Sequence, residues 1–157
     1  MKSLPKFFLG WCVAMVALAP VAHAQREKLP PDDLAEVEKN WPTAKKTVTG
    51  IRYVIMQEGQ GPLPKPGDKV NVLYVGRLLN GKVFDEAKDP TQPFTFRIRR
   101  DMVIEAWDQV LQLMKQGEKR LVIVPPELGY GTRGQPPKIG RNATLVFEIE
   151  LLNFGKD

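Results

Sequence analysis

Met102-Val103-Ile104-Glu105-Ala106-Trp107-Asp108-Gln109-Val110-Leu111-Gln112-Leu113-Met114-Lys115-Gln116-Gly117 is the one well-marked helical stretch in a region that otherwise reads as strands. Ile104, Trp107, Val110, Leu111 and Met114 recur at helical spacing and leave Glu105, Asp108, Gln112 and Lys115 on the opposite face. Asp101 is placed to cap the start, Lys115 suits the negative end of the dipole, and Gly117 is the expected left-handed stop. An apolar stripe on one helix needs a sheet to cover it. For that reason alone Trp107 reads as a core residue. Its company on the flanking strands and loops, Tyr74, Phe84, Phe94, Phe96, Tyr130 and Phe147, raises a second possibility, that these rings line a pocket.

Working outward, 120–124 is an apolar strand closed by Pro125-Pro126, and 127–142 is the longest irregular piece. In 143–154, Leu145, Phe147, Ile149 and Leu151 alternate with Val146, Glu148, Glu150 and Leu152, so one face is core and the other mostly wet. Towards the N-terminus, 94–98, 82–85, 69–79 and 48–57 read as strands. Asn80-Gly81 between two of them predicts a two-residue hairpin. The expected architecture is α+β: a curved, mainly antiparallel sheet with one short helix in its concave side.

The first 24 residues do not belong to that domain. Lys2 and Lys6 precede an apolar run over 7–21, and Ala22-His23-Ala24 is the small-x-small pattern of a signal-peptidase site, so 1–24 reads as a signal peptide. The run is shorter than the roughly 20 residues of a spanning helix, so no stable membrane insertion is expected after cleavage. Removal of 24 of the 157 residues leaves 133, and loss of Lys2 and Lys6 lowers the net charge from +5 to +3. Cys12 and His23, the only cysteine and the only histidine, leave as well. A disulfide, a thiol nucleophile, an imidazole base and a Cys/His metal site are thereby excluded, and no metal or cofactor is expected. Carboxylates, lysines, tyrosines and shaped apolar surface remain.

Residues 25–46 form a charged extension containing Pro30, Pro31 and Pro42. Asp33-Leu34-Ala35-Glu36 has the form of a capping box opening a short helix, with Leu34, Val37 and Trp41 on one side. The expectation is a partly ordered arm; the alternative is that this small apolar face docks on the domain or on a second copy.

Three features converge on the open end of the sheet. Val83-Phe84-Asp85 puts an aromatic and an acid at a strand end, where the plain alternative is a core Phe and a turn-capping Asp. Leu128-Gly129-Tyr130-Gly131 starts the long loop, where glycines let the backbone bring a Tyr to a surface, although a half-buried Tyr in an ordinary loop reads equally well. At Val103-Ile104, the first N–H groups of the helix have no partner within it, and water or a cap would satisfy them equally. The basic runs Arg97, Arg99, Arg100 and Lys45, Lys46 read as solvated faces. The aromatics alternate as core residues rather than interleaving with charge, so no nucleic-acid partner is expected.

From about 47 to 154 the sequence resembles the FKBP-type peptidyl-prolyl cis-trans isomerases. The likeness rests on Tyr74-Val75-Gly76 with Asn80-Gly81-Lys82-Val83-Phe84-Asp85, on Pro93-Phe94-Thr95-Phe96, and on Val103-Ile104 with Trp107. It continues through Gly117-Glu118-Lys119-Arg120, Pro126-Glu127-Leu128-Gly129-Tyr130-Gly131 and Ala143-Thr144-Leu145-Val146-Phe147-Glu148. The resemblance implies an isomerase domain over 47–157 with a half-open antiparallel sheet wrapped around one short helix. It implies a pocket floored by Trp107 and walled by Tyr74, Phe84, Phe94, Val103, Ile104, Tyr130, Ile139 and Phe147. Asp85 would sit at the rim, while the Ile104 N–H and the Tyr130 hydroxyl would donate to ligand carbonyls. Three positions depart from the common pattern: Pro90 where an Arg often accompanies the Asp, Gln135 where a His is frequent, and Lys138 where an apolar residue is usual.

The implied activity is prolyl isomerisation assisting the folding of exported proteins, by a periplasmic or secreted monomer that acts on X-Pro segments and binds macrolides such as rapamycin. Asp85, Tyr130, Phe84 and Trp107 are the expected catalytic residues, and Tyr74, Phe94, Val103, Ile104, Ile139 and Phe147 the expected substrate-binding ones. The rival from another class is a non-enzymatic binding module or holdase using the same pocket.

Overall fold

The computed structural model describes residues 26–156, so the expected signal peptide lies outside the described residues. In chain order the elements are α1 (Pro31–Asn40), β1 (Lys45–Lys46), β2 (Arg52–Gln57), β3 (Lys69–Leu78), β4 (Val83–Ala87), β5 (Phe94–Arg97), α2 (Glu105–Leu111), β6 (Lys119–Val124), a 3-10 turn (Pro126–Leu128) and β7 (Leu145–Gly155). The two longest alternating runs, β3 and β7, pair antiparallel from Lys69 opposite Gly155 to Leu78 opposite Leu145. Around them the seven strands take the order β1-β2-β6-β7-β3-β4, with β5 also on β3. The free side of β3 is shared, its first half pairing β5 up to Val72 opposite Phe94, its second pairing β4 from Tyr74 opposite Ala87. Tyr74 therefore stands where the sheet changes partner.

Helix α2 closes the concave side. Its Ala106, Trp107, Val110 and Leu111 are buried in one cluster with Val70, Val72, Phe96, Ile149 and Leu151. The helix is shorter than its stripe predicted. It begins after Ile104, whose extended backbone (ψ 150°) makes no side-chain cap, and the chain leaves it after Leu111 through turns in which Leu113 N–H donates to Val110 and Met114 N–H to Leu111. Met114 stays fully buried outside the helix, so the apolar spacing was real although the helix was not continuous. Asp101 is no cap: it adopts φ 53° in the preceding loop. Asp108 does not face water either. Its carboxylate is buried and accepts the Arg99 N–H at 2.7 Å. Gly117 takes φ +77° in the turn before β6, where its N–H donates to the Leu151 carbonyl. Beside it the buried Glu118 and Arg120 pair, with Arg120 also donating to the Leu113 carbonyl, which ties the end of the helical segment to the sheet.

The Asn80-Gly81 hairpin has three loop residues rather than two. Leu78 N–H bonds Lys82, Gly81 N–H bonds Leu78, and only Gly81 has positive φ (+85°), which is a type I turn with a bulge.

The largest difference lies before the domain. Residues 26–46 are packed rather than partly ordered. Val37 of α1 is fully buried with Leu29, Ile123 and Val146, and Leu34, Trp41, Ala44, Leu79 and Leu121 close around them. The reason is legible on the other face of the sheet, where Ile123 and Val146 point away from α2 and would otherwise meet water. Asp33 does not cap α1, whose first residue is Pro31; its carboxylate accepts the Thr144 hydroxyl instead. Ahead of the helix Glu27 gathers four donors: the N–H groups of Lys28 and Leu29, the Lys46 ammonium and the Arg52 guanidinium. Burial pushes the Glu27 carboxyl up, but these donors outweigh it and hold the group at about 2.

Two measurements follow from this packing. Val37→Ala opens a cavity under α1 and is expected to lower unfolding stability by about 2 kcal/mol in urea titrations, with folding intact. Glu27 has its folded-state value below its ordinary 4.5, so the stability it contributes is complete above that value and fades as the pH falls through about 2. The stability gap between wild type and Glu27→Gln is therefore expected to be widest above pH 4.5 and to close in acid.

Candidate active site

The segment between β5 and α2 sets one wall of the site. Arg99 and Asp101 both hold left-handed backbone (φ 58° and 53°), a conformation that costs non-glycine residues on the order of 1 kcal/mol or more. The buried Asp108 carboxylate on the Arg99 N–H secures that bend from inside α2. The bend presents Met102, Val103 and Ile104 to a cavity of about 130 Å³. Tyr74 from the strand junction, Asp85 from β4, Phe94 from β5, Trp107 from α2, Tyr130 from the long loop and Phe147 from β7 complete its lining.

Trp107 is 4 % exposed and makes the base of this cavity. Three rings stand nearly perpendicular to it: Tyr74 at 4.8 Å and 85°, Phe147 at 5.4 Å and 83°, and Phe94 at 5.9 Å and 79°. Edge-to-face contacts of this kind contribute about 0.5–1.5 kcal/mol each beyond burial, so the base is stiff. The indole N–H is buried with no hydrogen-bond partner among the described residues. Gly76 behind Phe147 admits no side chain, since a Cβ there would lie 2.8 Å from both the Phe147 and the Phe84 rings. A bulge in β4, where Gly76 faces Asp85 but Arg77 faces Val83, turns Phe84 inwards. Phe84 then packs edge-on to Phe147 at 5.6 Å.

The polar groups sit at the rim. The Tyr74 hydroxyl donates to the Asp85 carboxylate at 2.7 Å, and the other carboxylate oxygen accepts the Glu86 N–H at 3.0 Å. Burial, then the hydrogen bond and charge of Asp85, push the Tyr74 phenol well above its ordinary value. Burial first and the Asp85 charge second raise Tyr130 too. Both phenols thus stay protonated and able to donate. Among the described residues neither the Tyr130 hydroxyl nor the Ile104 N–H has a hydrogen-bond acceptor. No group of three or more His, Cys, Asp or Glu among the described residues is placed to hold a metal ion. The arrangement offers hydrogen-bond donors at the rim of an aromatic base.

Of the residues singled out in the sequence, Tyr74, Asp85, Phe94, Val103, Ile104, Trp107, Tyr130 and Phe147 meet around the cavity. Phe84 and Ile139 do not line it: they are buried behind it in the main core. Met102, the first residue of the helical stretch in the sequence, also lines the cavity. It is 57 % exposed, with its sulfur 3.5 Å from the Arg97 nitrogen. The available signal was an apolar side chain beside Val103-Ile104, at a position with no place in the helical stripe. The outer-loop departures Pro90, Gln135 and Lys138 are exposed.

Comparison with known proteins shows the family and the fold. The sequence model of the FKBP-type peptidyl-prolyl cis-trans isomerases matches residues 61–152. FK506-binding protein 4 of Dictyostelium discoideum is 45 % identical over 123 residues, 77 % of this chain and 33 % of that protein. The peptidyl-prolyl cis-trans isomerase Mip of Coxiella burnetii is 42 % identical over 118 residues, 75 % of this chain and 50 % of that one. The chain thus spans a third to a half of these two curated relatives. The crystal structure of a peptidyl-prolyl cis-trans isomerase from Pseudomonas syringae superposes with a TM-score of 0.70 at 35 % identity, covering 80 % of this chain and 92 % of that one. With the family's sequence model matched over more than half its length, the chain belongs to the FKBP-type peptidyl-prolyl cis-trans isomerases.

Proposed function

We propose that this protein isomerises X-Pro bonds in exported proteins while they fold, as a monomer in the periplasm or outside the cell. Residues 1–24, with Lys2, Lys6 and Ala22-His23-Ala24, support the location. The cavity over Trp107, with two donors at its edge that are unengaged among the described residues, is the observation that carries the activity.

The chemistry asks for rotation, not for bond making. An X-Pro amide turns in tens to hundreds of seconds unaided, over a barrier of about 18–20 kcal/mol that comes from resonance between oxygen and nitrogen. Water stabilises the planar, polar form. An aromatic base withdraws that water and holds the less polar, twisted amide better than the planar one. A thousandfold acceleration requires only ~4 kcal/mol. Withholding one amide hydrogen bond from water is worth a few kcal/mol, which is the right scale. In this scheme Trp107 and Phe147 hold the ring, while the Ile104 N–H and the Tyr130 hydroxyl hold the flanking carbonyls. Asp85 anchors Tyr74 and keeps the rim polar. The same cavity is proposed to take macrolides such as rapamycin.

Turnover of an X-Pro peptide by the mature protein, blocked by rapamycin, is the expected result. An uncatalysed rate from folded protein, with aggregation of a Pro-free client suppressed, would support the holdase instead. Tyr130→Phe removes one neutral donor and is expected to lower kcat/KM about fivefold, the factor that corresponds to ~1 kcal/mol. The raised phenols of Tyr74 and Tyr130 ionise only above the ordinary tyrosine range, so the pH profile of kcat/KM is expected to stay flat from about pH 6 to about pH 9. A bell-shaped profile in that window would contradict a mechanism without proton transfer.

A further inference from the structure

We propose that Asp33, in the segment ahead of the domain, is a positioning residue for Tyr130, acting through the two ends of the loop that carries it. The proposal rests on Tyr130 gripping substrate as described above.

The loop leaves the sheet after β6 and returns at β7. It is closed on itself: Gly131 N–H donates to Pro126 (2.9 Å), Gly134 N–H to Tyr130 (3.0 Å) and Asn142 N–H to Gly131 (2.8 Å). Where its ends go, Tyr130 follows. Both ends meet the N-terminal segment, about a hundred residues away in sequence. At one, the Lys28 ammonium lies 3.1 Å from the Glu127 carboxylate. At the other, the Thr144 hydroxyl donates to Asp33 at 2.6 Å.

The two contacts differ in strength. Lys28 and Glu127 have side chains 30 % and 54 % exposed, and such pairs contribute little. Thr144 is 3 % exposed, and its bond to a carboxylate is short and charge-assisted. Asp33 in turn has a fixed base, because the next turn of α1 puts Val37 into the apolar contact with Ile123 and Val146, and Glu27 holds the approach through Lys46 and Arg52. The segment therefore clasps the loop from the sheet's outer face while Tyr130 points into the cavity on the inner one. Small displacements of a reacting group's partner reduce rate steeply, so a clasp of this kind acts on turnover more than on global stability.

Asp33 also lies in the first turn of α1, where a negative charge favours the helix dipole. Asp33→Asn separates the two roles: it removes the charge and keeps an acceptor for Thr144. The experiment measures kcat and KM on an X-Pro peptide for wild type, Asp33→Ala, Asp33→Asn, Thr144→Val and Tyr130→Phe, and for Asp33→Ala combined with Tyr130→Phe. Amide hydrogen exchange at Gly131 and Asn142 is followed in the same proteins. Asp33→Ala and Thr144→Val are expected to lower kcat/KM about fivefold and to speed exchange at both amides, with Asp33→Asn, which keeps a neutral acceptor without the charge, falling between them and wild type. In the Tyr130→Phe background Asp33→Ala should add nothing. An equal loss in both backgrounds, an equal loss in Asp33→Asn, or unchanged exchange would overturn the proposal. A wild type without turnover would remove the reading beneath it, an outcome distinct from turnover that Asp33→Ala leaves untouched.

Discussion

The fit of one indole between a helix and a sheet is the constraint on which the rest depends. Trp107 belongs to the core by burial and to the cavity by position, beside Tyr74, where the sheet changes partner. Tyr74, Phe94 and Phe147 stand edge-on around it, so each wall also stabilises the fold. Gly76 supports the same arrangement from behind, its missing side chain being the space that Phe147 and Phe84 occupy.

Much of this was legible because period and composition agreed. The alternation of Leu145, Phe147, Ile149 and Leu151 fixed which face of β7 is inside, and the helical spacing of Ile104, Trp107 and Val110 fixed what packs on it. What was not legible depended on contacts between distant residues. Asp108 reads as a polar-face residue until the Arg99 N–H comes within its reach. Arg99 and Asp101 carry no glycine to announce a left-handed backbone, so the helix start was placed too early. Phe84 and Ile139 are apolar, and nothing in the sequence separates a core residue from a lining one; packing buries both in the main cluster. The two-residue hairpin failed for a local reason: Asn80 keeps negative φ, so the turn needed one residue more.

The N-terminal segment shows how a sheet with two apolar faces recruits its own cover. Ile123 and Val146 occupy positions that strict alternation assigns to water, and both follow or precede residues equally committed to the inner core. No strand remains to cover them. An amphipathic helix preceding the domain meets the need, and its Val37 is as buried as any residue under α2. Glu27 then fixes the approach to that helix with four donors. The charged, Pro-containing composition of 25–46 fits a partly ordered arm, yet two of its acids serve the docking: Glu27 is met by Lys46 and Arg52, and Asp33 by Thr144.

The electrostatics of the rim suit a reaction without proton transfer. Asp85 carries the cavity's one carboxylate among the described residues, and its effect on both neighbouring phenols has the same sign. A negative charge beside a phenol opposes phenolate formation, and burial opposes it further. An enzyme that needed a tyrosinate base would require the opposite environment, a cation or a helix N-terminus beside the ring. The Tyr74 hydroxyl donates to Asp85; on the proposed mechanism the Tyr130 hydroxyl donates to a flanking carbonyl and orients the backbone without stabilising the polar ground state of the bond that turns. On the proposed mechanism the absence of histidine and cysteine from 25–157 is then no handicap, since the cavity acts by selecting among conformations of a substrate whose bonds stay intact.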